Sequence, residues 1–283
     1  MSIEPGTLYV VATPIGNLAD LSPRALDTLR AVSAVAAEDT RHTAVLLRHY
    51  GVQTPTVSLH EHNERQVVPR LVARLRAGEA LALVSDAGTP LVSDPGRILV
   101  SEARSAGVPV RPVPGPSALP AALSVAGFAA DRFVFEGFLP SRGAARRARL
   151  QALAGEDRTL VFYEAPHRIR ESLRDLREVF GPGRQGLLAR ELTKVFEETH
   201  RATLAELEEW VAERPERERG ELVIVVEGRE PTPAEDVGPD DDRVLRVLLK
   251  ELPASTAATL AAQLTGKPRR ALYARAVELS GEG

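Results

Sequence analysis

Ser85-Asp86-Ala87-Gly88-Thr89-Pro90 follows directly on the apolar run 81–84, and Ser93-Asp94-Pro95-Gly96 comes close behind it. Four consecutive apolar residues read as a buried strand, here one that stops abruptly at a hydroxyl and a carboxylate. Gly88 permits a left-handed turn and, lacking a Cβ, lets a ligand approach the backbone. Asp94-Pro95 has the form of a helix N-cap followed by a first-turn proline. Ligands of open α/β sheets bind outside the carboxyl ends of the strands, where such loops sit. An ordinary strand-to-helix connection takes about 2–6 residues; this one is longer and rich in glycine and proline. Its composition suits a small-molecule site, with a plain connection as the competing reading.

Two further polar loops follow strand-like runs, Glu38-Asp39-Thr40-Arg41-His42 and Val113-Pro114-Gly115-Pro116-Ser117-Ala118. Asp39 and Ser117 are each placed to cap the next helix, a structural role that competes with any chemical one. Several such loops at one sheet edge predict a cleft. No G-x-G-x-x-G follows the first strand and no G-x-x-x-x-G-K-[ST] occurs, so dinucleotide and P-loop sites lose their main support. His60-Glu61-His62 is the nearest approach to a metal pair and reads better as a polar loop; no metal is expected. With no cysteine, disulfides, thiolate metal sites and cysteine nucleophiles are excluded.

The elements that must hold these loops alternate. Strand-like runs at 8–12, 34–37, 56–59, 81–84 and 108–113 are separated by helical patterns, an order that predicts a mostly parallel sheet covered by helices. A second α/β unit begins near residue 127, with strands at 133–136, 159–163, 186–189 and 221–227 and helices at 168–180 and 203–211. Residues 230–242 are acidic and proline-rich, and read as a flexible linker. Beyond them, 244–252, 255–264 and 268–279 read as three short helices, the second capped by Ser255. The predicted division is therefore 1–126, 127–229, a 230–242 linker and a 243–283 helical tail resembling a helix-turn-helix.

With 283 residues, 43% of them hydrophobic, the chain can bury a substantial core. No stretch approaches the roughly 20 apolar residues of a membrane span, and a soluble cytoplasmic protein is expected. The formal net charge of -3 hides local basic clusters. Arg142, Arg146, Arg147 and Arg149 occur together without an acid. Between Arg243 and Arg275 seven bases face the single acid Glu251, and Lys267, Arg269 and Arg270 gather at the start of the last helix. Both clusters are candidate RNA-binding groups, with a solvated helix face as the alternative for the tail.

The ordered set Ala12-Thr13-Pro14-Ile15-Gly16-Asn17-Leu18, Glu38-Asp39-Thr40-Arg41, Ser85-Asp86-Ala87-Gly88-Thr89-Pro90, Ser93-Asp94-Pro95-Gly96 and Val113-Pro114-Gly115-Pro116-Ser117-Ala118 resembles the tetrapyrrole-methylase superfamily. Phe162-Tyr163-Glu164-Ala165-Pro166-His167-Arg168, Arg190-Glu191-Leu192-Thr193-Lys194 and Glu221-Leu222-Val223-Ile224-Val225-Val226 extend the likeness over roughly residues 6–229. Porphyrin-type members carry a glycine-rich first loop where this chain has Thr13-Pro14-Ile15-Gly16-Asn17, which favours the branch acting on ribosomal RNA. The resemblance implies two α/β domains around an S-adenosylmethionine cleft, a helical extension, dimerisation, and methylation of the 2′-hydroxyl of a cytidine in the 16S rRNA of the small subunit. It implies donor contacts from Pro14, Ser85, Asp86, Ala87, Gly88, Val92, Ser117 and Ala118, and from Tyr163, Ala189 and Leu222 of the second domain. A ribose hydroxyl is a poor nucleophile while protonated, so a base is sought. The candidates are Asp39, His60 and Glu64, with Arg41 to orient or bind phosphate, and each has an equally plausible structural role. The alternatives are a corrinoid- or porphyrin-type small-molecule methyltransferase and a non-catalytic RNA-binding module of ribosome assembly.

Overall fold

A computed structural model describes residues 3–229 and 237–281. These fall into two compact units, residues 1–227 and 228–283.

The first unit begins with alternating elements: β1 (Leu8–Val11), α1 (Pro23–Ala31), β2 (Ala34–Ala37), α2 (Thr40–His49), β3 (Thr56–Ser58), α3 (Glu64–Arg76), β4 (Leu81–Val84), α4 (Arg97–Ser105) and β5 (Val110–Val113). The five strands form one sheet in the order β3-β2-β4-β1-β5, and every pairing is parallel. Strands β2 and β4 are buried at every position, as central strands covered on both faces must be. Alternate residues serve opposite faces. Tyr9, Val35, Ala82 and Val84 pack against Ala25 and Leu29 of α1 and Leu46 and Leu47 of α2. Leu8, Ala34, Leu81 and Leu83 pack against Leu71 and Leu75 of α3 and Leu99 of α4. Pro112 sits in β5, an edge strand, where its missing N–H costs no ladder bond.

The chain continues through α5 (Ala118–Ala126), β6 (Phe133–Phe138), α6 (Gly143–Ala152), β7 (Thr159–Glu164), α7 (Ile169–Phe180), β8 (Gln185–Arg190), β9 (Glu198–Thr203), α8 (Leu204–Glu213) and β10 (Leu222–Val226). These strands form a mixed sheet in the order β6-β7-β10-β8-β9. Only β6 and β7 run parallel; β10 is antiparallel to both neighbours, and β9 to β8. Helices α6, α7 and α8 cover one face through Leu150, Leu173, Leu176, Leu204 and Leu207. Ala122, Leu123 and Ala126 of α5 cover the other, against Val161, Leu187, Val223 and Val225.

Those contacts correct the expected division at 126/127, because α5 packs with the second sheet. Two elements went unseen in the sequence. The β9 strand (ETHRAT) is a polar edge strand with little apolar signal. The α6 helix (GAARRARLQA) contains Arg146, Arg147 and Arg149 of the arginine cluster, with Arg142 at its N-cap.

The second unit holds α9 (Pro239–Leu248), α10 (Ala254–Thr265) and α11 (Arg269–Gly281) around Leu245, Ala258, Ala261, Leu272 and Ala276. Of the expected linker, residues 230–236 lie outside the described residues, while residues 239–242 are the first turn of α9 and not linker. Pro239 occupies the first helical position and Asp241 accepts from the Gly238 N–H at 2.8 Å. Acids favour that end of a helix, so an acidic, proline-bearing sequence is a helix start here. Pro253, not Ser255, stands at the N-cap of α10. Among the described residues, no helix is long and apolar enough to cross a membrane.

Candidate functional site

Because β2, β4, β1 and β5 are adjacent and parallel, their carboxyl ends open on one side and bring four loops together. Thr13 and Gly88 exchange backbone hydrogen bonds of 2.9 and 3.0 Å, which tie the loop after β1 to the loop after β4. Thr89 Oγ1 donates to the Pro116 carbonyl at 3.2 Å, adding the loop after β5. The Asp39 N–H donates to Asp86 Oδ1 at 2.9 Å, adding the loop after β2.

Register on the second sheet builds the facing wall. Phe138 of β6 pairs with Tyr163 of β7, and Glu164 and Arg190 both pair with Leu222 of β10. Phe138, Tyr163, Leu192, Leu222 and Val223 therefore meet the loops of the first sheet around one cavity of about 420 Å³. Glu38, Asp86, Ala87, Gly88, Val92, Asp94, Ser117 and Ala118 line its other side. A smaller cavity of about 330 Å³ lies next to it, bounded by Pro14, Leu18, His42, Thr43, Val45, Ser85 and Asp86 among others.

The loop after β4 is held in a costly conformation. Leu91 and Ser93 are non-glycine residues at φ 74° and 68°, positions that cost about 1–3 kcal/mol each and concentrate at functional sites. The helix that follows is not capped by Asp94. Its N-cap is Gly96 at φ 113°, where a Cβ would sit 2.7 Å from Leu83 Cδ2. Asp94 is thus released to face the cavity. Burial, with the Glu38 and Asp86 charges beside it, raises its pKa to about 6. Glu38 is likewise raised, first by burial and then by Asp86. Burial also raises the pKa of the Tyr163 phenol.

Of the expected donor-binding residues, Asp86, Ala87, Gly88, Val92, Ser117, Ala118, Tyr163 and Leu222 line the larger cavity. Pro14 and Ser85 line the smaller one instead. Ala189 lines neither and is 1% exposed, packed beneath α5.

The catalytic candidates separate further. Glu64 is buried, and its Oε1 accepts from the Ile98 and Leu99 N–H groups at 2.8 and 3.1 Å. It caps α4 from a neighbouring helix and is not in either cavity, which corrects its assignment as a base. Asp39 caps α2 through the Arg41 N–H at 2.8 Å and pairs with the Arg41 guanidinium at 2.9 Å. The side-chain bonds from Arg41 lower its pKa to about 2, which makes it a weak proton acceptor. His60 lies in the loop after β3, outside both cavities. Glu38 and Asp94 were the acids sequence reasoning passed over; their signal was position at a strand's carboxyl end.

Burial takes one residue, Arg146, out of the exposed arginine cluster. Arg146 is buried, donating to Asp175 at 2.6 Å and to Glu171 at 3.1 Å. Arg147 shares Asp175, and Arg149 makes two 2.7 Å bonds to Glu136. Arg142 alone of the four is an exposed cation with no ion pair among the described residues. Lys267, Arg269 and Arg270 stand around the first turn of α11, with Arg269 Nε donating to Thr259 Oγ1 at 2.9 Å.

Residues 7–208 match the family described as Tetrapyrrole (Corrin/Porphyrin) Methylases, and residues 235–280 match the RsmI C-terminal HTH domain. The chain is 55% identical to a Pseudomonas aeruginosa protein named ribosomal RNA small subunit methyltransferase I, covering 99% of this chain and 100% of that one. A Xylella fastidiosa protein of the same name is 57% identical over 95% and 98% of the two chains. Uroporphyrin-III-C-methyltransferase from Thermus thermophilus has the same fold, with TM-score 0.55 at 23% identity over 78% of this chain and 94% of that one. A further structure of that transferase, complexed with S-adenyl homocysteine, gives 0.54 at 21% over 78% and 96%. With its α/β unit matched by the family and its full length by close relatives, the chain belongs to the tetrapyrrole methylases, a family of S-adenosylmethionine-dependent methyltransferases.

Proposed function

We propose that this methyltransferase modifies the 2′-hydroxyl of a cytidine in the 16S rRNA of the small ribosomal subunit. The observation that carries the reading is likeness extending end to end, tail included, to proteins named for the small-subunit RNA.

The larger cavity fits the methyl donor. Its volume falls within the roughly 300–1,000 Å³ of small-molecule sites. Glu38, Asp86 and Asp94 form an acidic end suited to a cationic ligand, and Tyr163, Leu192 and Leu222 an apolar end suited to a flat heterocycle. When bound, S-adenosylmethionine supplies an electrophilic methyl group together with its own leaving group. The chain has to hold donor and acceptor about 3–3.5 Å apart in line, and to keep water out. Gly88 and Ala87 let the backbone come close, and the loop pinned by Thr13 and Thr89 cannot drift. Acids of the cavity replace Asp39 and Glu64 as the groups that take up the proton released by the hydroxyl.

Arg142 and the basic first turn of α11 are cations available to RNA phosphates. A homodimer in the cytoplasm is part of the same reading; exposed Phe133, Phe138, Val195 and Phe196 on the first unit supply apolar surface for it. Sedimentation of the chain truncated after Arg229 tests the dimer, and a monomer would count against it. The activity itself is tested by mass mapping of 16S rRNA from a strain lacking the gene. A single cytidine should lose 14 Da (one methylene, roughly the 2′-O-methyl increment) and regain it with purified enzyme and donor; an unchanged map would overturn the reading.

A further inference from the structure

The structure holds a second cavity that the donor does not need, and we infer that it receives the acceptor nucleoside, turned out of its RNA strand, with the neighbouring phosphate held outside at Arg41. The inference rests on the RNA reading above and deepens it.

Contiguity is the first argument. Methyl transfer needs the acceptor atom about 3–3.5 Å from the methyl group, so the acceptor's site has to adjoin the donor's. Asp86 lines both cavities. The loop after β1 forms the rest of the partition, with Ile15 on the larger side and Pro14 and Gly16 on the smaller. A hydroxyl reaching from the smaller cavity to the donor therefore passes the Asp86 carboxylate.

The lining is the second argument. Pro14, Leu18, Val45 and Leu46 give apolar walls for the faces of a base or sugar. Thr13, Thr43, Ser85, His42 and Asp86 offer donors and acceptors for its edge and hydroxyls. The volume of about 330 Å³ has room for one nucleoside but not for a tetrapyrrole macrocycle plus its side chains. An enzyme acting on a stacked or paired nucleotide has to extrude it into such a pocket.

The surroundings are the third. Thr43 and His42 belong to the first turn of α2, and the Arg41 side chain before them is 91% exposed beside its partner Asp39. A cation and a helix start at the rim suit the phosphate that stays outside when its nucleoside goes in. Val45 at the rim is 59% exposed, so a larger residue there can close the mouth without touching the core.

The test compares Val45→Trp and His42→Ala with the wild-type chain in three assays. These are calorimetric binding of S-adenosylmethionine, methyl transfer from labelled donor to small-subunit RNA, and filter binding of that RNA. Val45→Trp should bind the donor within twofold of wild type, retain RNA within about fivefold, and lose at least 100-fold in methyl transfer. His42→Ala, which opens the cavity, should raise KM for RNA with donor affinity unchanged. Wild-type transfer by Val45→Trp would overturn the assignment, and so would a parallel loss of donor affinity, which would give the cavity to the donor. A wild-type chain inactive on the RNA would instead overturn the proposed function, and the pocket assignment with it.

Discussion

At the scale of single residues, Asp94 is the clearest reporter of the proposed donor site. Its pKa of about 6 arises from burial and from the Glu38 and Asp86 charges. Without a ligand, the folded chain holds this proton more tightly than the unfolded chain, so its contribution to stability is present below pH 4 and lost as pH rises through about 6. A bound cation favours the ionised form. Donor affinity should therefore strengthen between about pH 5 and 7, and Asp94→Asn should flatten that dependence; calorimetry at several pH values measures both, and an equal slope in the variant would refute the coupling. Gly88 reports the loop. It lies at φ +78°, and an added Cβ would come within 3.2 Å of Ile15 Cγ2. A β-branched residue rarely adopts that backbone. Gly88→Val should keep the circular dichroism of the native fold, lose roughly 1–3 kcal/mol of stability and abolish the heat of donor binding. Normal binding would show that the loop does not position the donor.

At the scale of elements, the acid at position 64 shows how a candidate for chemistry can turn out to be architecture. Glu64 belongs to α3 and accepts two N–H groups at the start of α4, whose own N-cap glycine has no side chain to offer. Helix starts leave such donors unpaired, and buried ones are costly. Glu64→Ala should cost about 1–3 kcal/mol in denaturant unfolding while leaving the donor affinity of the folded protein near wild type. Loss of donor affinity without loss of stability would restore a direct role. Arg146 makes the same point for α6. A run of arginines looks like an RNA surface, yet 3.6-residue periodicity turns one of them inward onto Asp175 and Glu171.

At the scale of the whole molecule, the second unit has its own core and carries the basic first turn of α11. Arg275 is not part of that charge reserve, because it is tied to Asp242 at 2.6 Å. Helix starts favour anions, and Lys267, Arg269 and Arg270 add three cations there. Removing residues 236–283 should weaken binding of small-subunit RNA and make the remaining affinity less sensitive to salt, since fewer phosphates are neutralised. Donor affinity should not change. Identical affinity and salt slope in the truncated chain would leave the tail without a role in RNA binding.

Much of this was already determined by the sequence. Apolar runs bounded by glycine, proline and acids located nine of the ten strands, because buried strands and strand-end loops differ sharply in composition. The loops at 13–18, 38–42, 85–96 and 113–118 were legible as one cleft, since parallel strands send their carboxyl ends to the same side. Tertiary structure alone decided which side chains of those loops face a cavity. Asp39 and Glu64 were indistinguishable from Glu38 and Asp94 as acids that follow a strand end. The αL turn at Gly96, the pairing of Arg41 with Asp39 and the seat of Glu64 under α4 separated them. The contact of Glu64 with the start of α4 joins residues 34 and 35 positions apart, and local spacing carries no record of it.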